Sequence, residues 1–212
     1  MDKEKLEILN IIRIAIKEEN PNTDNYELPN PINKRLRTLA SMASDLTFVV
    51  NAMNELIKIT KHSLENNVVK TALWQSSVII YCKCFSDSSK NGHSKLESKD
   101  CFKLENDLLA IHVDVFRVRN NFIAHRGENE YEQSIAFFTQ PKKDSIEQIA
   151  SQFKVKSLRA NNLSIDNLEN YLKLFVFIEN HVQEKINIQC KKIYKMLKEK
   201  YSQEEILKFL IV

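Results

Sequence analysis

The sequence predicts an all-α protein: an antiparallel bundle of about five helices, with a small extended or β-hairpin insertion between the fourth helix and the last long one. Three observations carry this. The 212 residues include only two glycines and four prolines, so long stretches run without a helix or strand breaker. Apolar residues recur at steps of three and four through most of the chain, the spacing of one buried helical face. Hydrophobic residues make up 43% of the total, enough for a sizeable core, and the length lies nearer one domain than two. Residues 1–212 therefore read as a single helical domain.

Leu6, Leu9, Ile12 and Ile16 share one face of a first helix, which must end by Pro21 in a loop running to about Pro31. From Ile32, the series Leu36, Leu39, Ala43, Leu46, Val50, Met53 and Ile57 predicts a second helix to about His62, packed lengthwise in a bundle. A third spans roughly Val68 to Phe85. The polar stretch SDSSKNGHSKLESKD that follows reads as a surface loop. A fourth helix begins near Leu104 and should stop near His125, where Gly127 can supply the left-handed residue that closes a helix. Ser134 to Thr139 and Phe153 to Leu158 look extended, with Pro141 and a charged stretch between them. Ser164 is an N-cap candidate for a last long helix to about Tyr201, marked by Leu168, Leu172, Phe175, Val182, Ile186 and Ile193, and a short helix from Glu204 to Leu210 closes the chain.

The segment MDKEKLE is charged, and no apolar run approaches the ~18 residues of a membrane span or has the layout of a signal peptide. The expected location is the cytoplasm, with no membrane partner. Cys82, Cys84, Cys101 and Cys190 are then expected as reduced, inert thiols. Joining Cys82, Cys84, His93 and Cys101 into a zinc site fits none of the usual ligand spacings, so no metal and no cofactor are expected. The net charge of +3 permits an RNA partner without demanding one, but Lys142, Lys143, Lys154, Lys156 and Arg159 concentrate positive charge in one segment that could guide phosphates.

The stretch IHVDVFRVRNNFIAHRGE departs from a purely structural helix. At ~100° per residue, Leu108, Val115, Phe122 and Ile123 share a face, and Arg119 falls among them with His112 beside it. A guanidinium there costs several kcal/mol unless it is paired or meets a wet cleft. One reading is an Arg that extends its head to the bundle edge or bridges a core carboxylate. The other is a functional site. Asn120 and Asn121 are poor helix formers, and His125 arrives in the expected last turn. Exposed carbonyls at a helix C-terminus favour imidazolium while a nearby Arg disfavours it, so His125 could titrate near neutrality and either accept or donate a proton.

Arg119, Asn120 and His125 in RNNFIAHRG resemble the HEPN signature, an Arg followed by a polar residue and then a His four to six residues on. ALWQSSVIIYCKCF and the extended insertion after the motif are similar to the AbiU-like abortive-infection branch of that superfamily. The resemblance implies a bundle with the motif late in a helix and a metal-independent endoribonuclease acting as a dimer. It makes His125 the acid or base at the ribose 2′-hydroxyl or the leaving oxygen, Arg119 the stabiliser of the charged phosphorane, and Asn120 the residue that orients the phosphate or the imidazole. The implied products are a 2′,3′-cyclic phosphate and a 5′-hydroxyl, with DNA spared because it lacks the attacking oxygen.

In toxins of this superfamily silenced by a nucleotidyltransferase, a Tyr stands two residues after the His; this chain has Gly127 there, and Tyr131 lies too far along. An antitoxin or defence partner protein of another kind stays open. A rival expectation is a catalytically silent helical module that dimerises or binds a nucleotide or protein partner. The geometry of an ideal helix adds one expectation about assembly. Six positions at ~100° leave His125 about a third of a turn from Arg119, which favours a site shared across a homodimer.

Overall fold

A computed structural model of the chain describes residues 3–19, 21–62, 67–86, 95–124, 132–139, 152–159 and 164–209. The protein is mostly helical, with α1 (Lys3–Glu19), α2 (Asn30–His62), α3 (Asn67–Lys83), α4 (Ser98–Cys101), α5 (Asn106–Val118), a π-helical segment (Arg119–Ala124), strands β1 (Glu132–Thr139) and β2 (Gln152–Arg159), α6 (Ile165–Lys200) and α7 (Gln203–Leu207). The five long helices and the hairpin insertion fall where the hydrophobic periodicity places them. Among the described residues, no helix is long and apolar enough to cross a membrane.

The chain packs as two compact units, residues 1–41 with 183–212, and residues 42–182. In the first, Leu39 and Ile193 are buried. Arg13 donates to Glu27 Oε2 through Nε at 2.9 Å and Nη2 at 2.6 Å, and the backbone N–H of Glu27 donates to the Phe209 carbonyl at 2.6 Å. Ser202 and Glu205 form a reciprocal capping box that starts α7, which satisfies two backbone donors at once.

The second unit holds the larger core. Leu46, Val49 and Met53 of α2, Val78 and Tyr81 of α3, Val115 of α5, and Leu174, Phe175, Ile178 and Val182 of α6 are each fully buried. Thr47 donates to Glu179 at 2.6 Å and Lys61 pairs with Glu169 at 3.0 Å, so α2 and α6 run antiparallel here. Lys83 reaches Asp45 at 2.7 Å. Ser164 accepts from the Asn167 N–H at 3.2 Å, the cap expected for α6. Strands β1 and β2 are antiparallel, in a register that runs from Glu132 opposite Arg159 to Thr139 opposite Gln152.

The stretch after α3 departs from the expected surface loop. Residues 87–94 lie outside the described ones, but Leu96 is 5% exposed and its N–H donates to the Cys84 carbonyl at 2.9 Å. One leucine amid polar neighbours is enough to bring the chain back to the core, and the α4 turn that follows buries Cys101 and Phe102.

Candidate functional site

Helix α5 and the π segment that continues it carry polar groups at two places, two turns apart on one face. His112 lies on the inner stripe and is 6% exposed. Its ring is enclosed by Tyr81, Phe85, Phe102 and Phe116, with centroids between 4.6 and 5.8 Å away. Nδ1 is 2.7 Å from the Tyr81 hydroxyl and Nε2 is 3.0 Å from the Ser98 hydroxyl. In a neutral imidazole one nitrogen donates and the other accepts, and two hydroxyls satisfy either tautomer. Burial pushes the His112 pKa down from 6.5 to about 4, so the ring is uncharged at neutral pH.

Three thiols, those of Cys82, Cys84 and Cys101, are buried close to this cluster and unbridged. Burial pushes the Cys82 thiol up to about 12, against an opposing pull from the Arg119 charge, and Cys84 adds to the rise. Burial likewise raises Cys84 to about 12. These sulfurs stay protonated and weakly nucleophilic, as expected for core cysteines. The Tyr81 phenol is raised by the same burial, with the neighbouring thiols adding to it. Among the described residues, no group of three or more His, Cys, Asp and Glu side chains is arranged to hold a metal; His93 of the discarded zinc grouping lies outside them.

Two turns beyond His112, the winding widens. The α5 ladder ends at Val118 and Arg119–Ala124 follows with π geometry, in which N–H groups reach back five residues instead of four. Arg119 stands at that junction, half-buried, with its backbone N–H shared between the Val115 and Phe116 carbonyls. Consecutive side chains do not normally face each other on an α-helix. Here Arg119 Nη1 donates to Asn120 Oδ1 at 2.9 Å, and Asn120 is exposed. The segment packs against α3, where the guanidinium charge acts on Cys82. Among the described residues, no carboxylate pairs with Arg119. The nearest acid on the same helix, Asp114, is engaged by Arg117 at 2.7 Å and accepts from the Tyr171 hydroxyl at 2.5 Å.

The expected site is thus brought together in part. Arg119 and Asn120 are in direct contact. His125 lies outside the described residues, as do Lys142 and Lys143. Lys154, Lys156 and Arg159 share strand β2, where the register sets them opposite Phe137, Ile135 and Glu132, and the Lys154 side chain is exposed.

The turn that begins at Arg119 is π, and His125, the other member of the expected shared site, lies outside the described residues. Sequence periodicity also missed the Tyr81–His112–Ser98 chain. His112 was visible as a polar residue on an apolar stripe, but its partners lie 31 and 14 residues away, beyond any local pattern. No family model, curated protein or solved structure matches the chain.

Proposed function

We propose that the chain is a metal-independent endoribonuclease of HEPN type, a cytoplasmic toxin or antiviral-defence effector whose site contains Arg119, Asn120 and His125. One observation carries the reading. Arg119 occupies the apolar side of its helix, half-buried in a π turn, and spends a donor on a neighbouring amide rather than on a core carboxylate among the described residues. A guanidinium fixed in that way keeps its charge and further N–H groups for an anion. Single π turns at the interruption of an α-helix recur at functional sites.

In this mechanism His125 moves the proton at the ribose 2′-oxygen or at the leaving 5′-oxygen. The 2′-oxygen attacks the adjacent phosphorus, and Arg119 stabilises the extra negative charge of the phosphorane. Asn120, whose Oδ1 accepts from Arg119 at 2.9 Å, orients the phosphate or the imidazole. The products are a 2′,3′-cyclic phosphate and a 5′-hydroxyl.

The test is single-stranded RNA incubated with purified protein in EDTA. Cleavage to cyclic-phosphate ends, lost in Arg119→Ala and in His125→Ala with helical content unchanged, is the expected result. If Arg119→Ala unfolds the protein and His125→Ala is harmless, the Arg is a core residue and the silent-module reading replaces this one. Assembly as a homodimer with a shared site is part of the proposal, and mixing decides it. Co-expressed Arg119→Ala and His125→Ala chains would recover part of the activity if the site is shared, and none if each chain holds a whole site.

A further inference from the structure

Charge is shared unevenly between the two units of the chain. Residues 42–182 hold 17 cationic and 17 anionic side chains, whereas residues 1–41 with 183–212 hold 14 and 11, so the whole net charge of +3 belongs to the first unit. Its source is one stretch of α6. Residues 185–200 contain six lysines and a single acid, Glu199, a net +5 that the remainder of the unit offsets only in part.

Three of these lysines form a line. At ~100° per residue, Lys191, Lys195 and Lys198 lie within about 60° of one another, and all three are exposed. Ile193, 6% exposed, marks the opposite side of the helix, so the line faces away from the core. Tyr194 is 61% exposed beside it, and Lys198 Nζ sits 4.5 Å from the centroid of that ring, a contact that holds the ammonium against the helix surface.

Helix stability does not account for the arrangement. Cations in the last turn complement the helix dipole, which suits Lys198 and Lys200. Lys191 and Lys195 come before that turn and stand four residues apart, where like charges repel and weaken a helix. Glu199 relieves Lys195 only weakly, at 3.7 Å between exposed groups, and among the described residues no acid pairs with Lys191 or Lys192.

We infer that this face of α6 is a second RNA contact, along which Lys191, Lys195 and Lys198 hold successive phosphates of one strand. The choice of RNA rests on the RNA-cleaving reading. From Lys191 to Lys198 the helix rises about 10.5 Å, a length over which a nucleic-acid strand presents about three phosphates. Phosphate contacts carry no sequence information, so the face should add affinity without base preference. An anionic membrane fits the face less well, because interfacial helices turn an apolar side to the acyl chains and the apolar side of α6 is committed to the core.

The experiment measures binding of labelled oligo-uridine to the full chain carrying His125→Ala, which prevents turnover, across a salt titration. Adding Lys191→Gln, Lys195→Gln and Lys198→Gln together should lower the salt slope by about 2 and weaken binding at least roughly tenfold at about 0.1 M salt. Arg at the same three positions should keep both. Helical content should be unchanged, since all three side chains are exposed. Lys95→Gln, Lys99→Gln and Lys103→Gln, made together among exposed lysines of the other unit, control for net charge and should leave the slope alone. Equal effects of the two triple variants, an unaltered slope in the first, or a parent chain that does not bind oligo-uridine at low salt overturns the contact. So does adsorption to vesicles of phosphatidylcholine and phosphatidylserine that the first triple variant abolishes while RNA binding persists, which would assign the face to a membrane. The two proposals fail separately: RNA bound through this face but left uncleaved by wild type removes the nuclease, and cleavage by wild type with affinity undiminished in the triple variant removes the face.

Discussion

His112 and Arg119 sit two turns apart on one helix, and both interrupt an apolar stripe, yet the protein treats them in opposite ways. His112 is wrapped in four aromatic rings, bonded at both nitrogens and held neutral. Arg119 keeps its charge, is half-buried, and shares one donor with its neighbour in a widened turn. A polar group in a core is an integral part of the fold once its hydrogen bonds are complete. A charged group whose donors are not used up by the core is available to something that binds from outside. The difference lies in the partners, which the two residues' similar positions in the pattern do not reveal.

The comparison is sharpest if the two positions dissociate activity from stability. Arg119→Ala is expected to lower RNA cleavage by roughly 10²–10³-fold, the loss typical of one charge-stabilising donor, while unfolding free energy moves by no more than about 1 kcal/mol. His112→Ala should do the converse. It empties a ring-sized space and strands the Tyr81 and Ser98 hydroxyls, for a loss of about 3–5 kcal/mol in urea unfolding. Equal stability losses at the two positions would erase the distinction.

Smaller effects test the His112 side alone. Its pKa is about 4 in the folded chain against 6.5 ordinarily, so between those values the unfolded state binds more protons than the folded one. The stability that neutral His112 contributes is full above about pH 6.5 and drains away as pH falls toward 4. Comparing urea midpoints of wild type and His112→Gln across that window should show this slope in the wild type and a flatter line in the variant; parallel lines would mean that His112 binds its proton equally well in the folded and the unfolded chain. Smallest is Ser98→Ala, which removes one of the two ring bonds. A loss of about 1 kcal/mol is expected, and none at all would mean that Ser98 does not anchor α4.

How far these features could be read in advance depended on their range. The long helices announce themselves because Leu46, Val50 and Met53, or Leu168, Leu172 and Phe175, repeat within one element, and the extended look of Ser134 to Thr139 and of Phe153 to Leu158 did the same for the hairpin. Arg119 and Asn120 were legible as misfits in such a repeat. Leu96 was not, since a single anchoring leucine in a polar stretch has no period. The partners of His112 come from α3 and α4, and only folding brings them together. The π turn is hardest of all, because it is a change in backbone hydrogen bonding at the end of the helix, with no helical residues described after it to display a shifted apolar spacing.

That turn has a consequence for phase. A π turn holds one residue more than the α turn it replaces. Each such residue rotates everything downstream by roughly 100° about the helix axis. The direction in which the chain leaves Ala124 towards β1 is thus set by a count within Arg119–Ala124. Deleting one residue among Asn121 to Ala124 would restore regular winding and keep Arg119 and Asn120, yet it would launch the following chain from a different side of the helix.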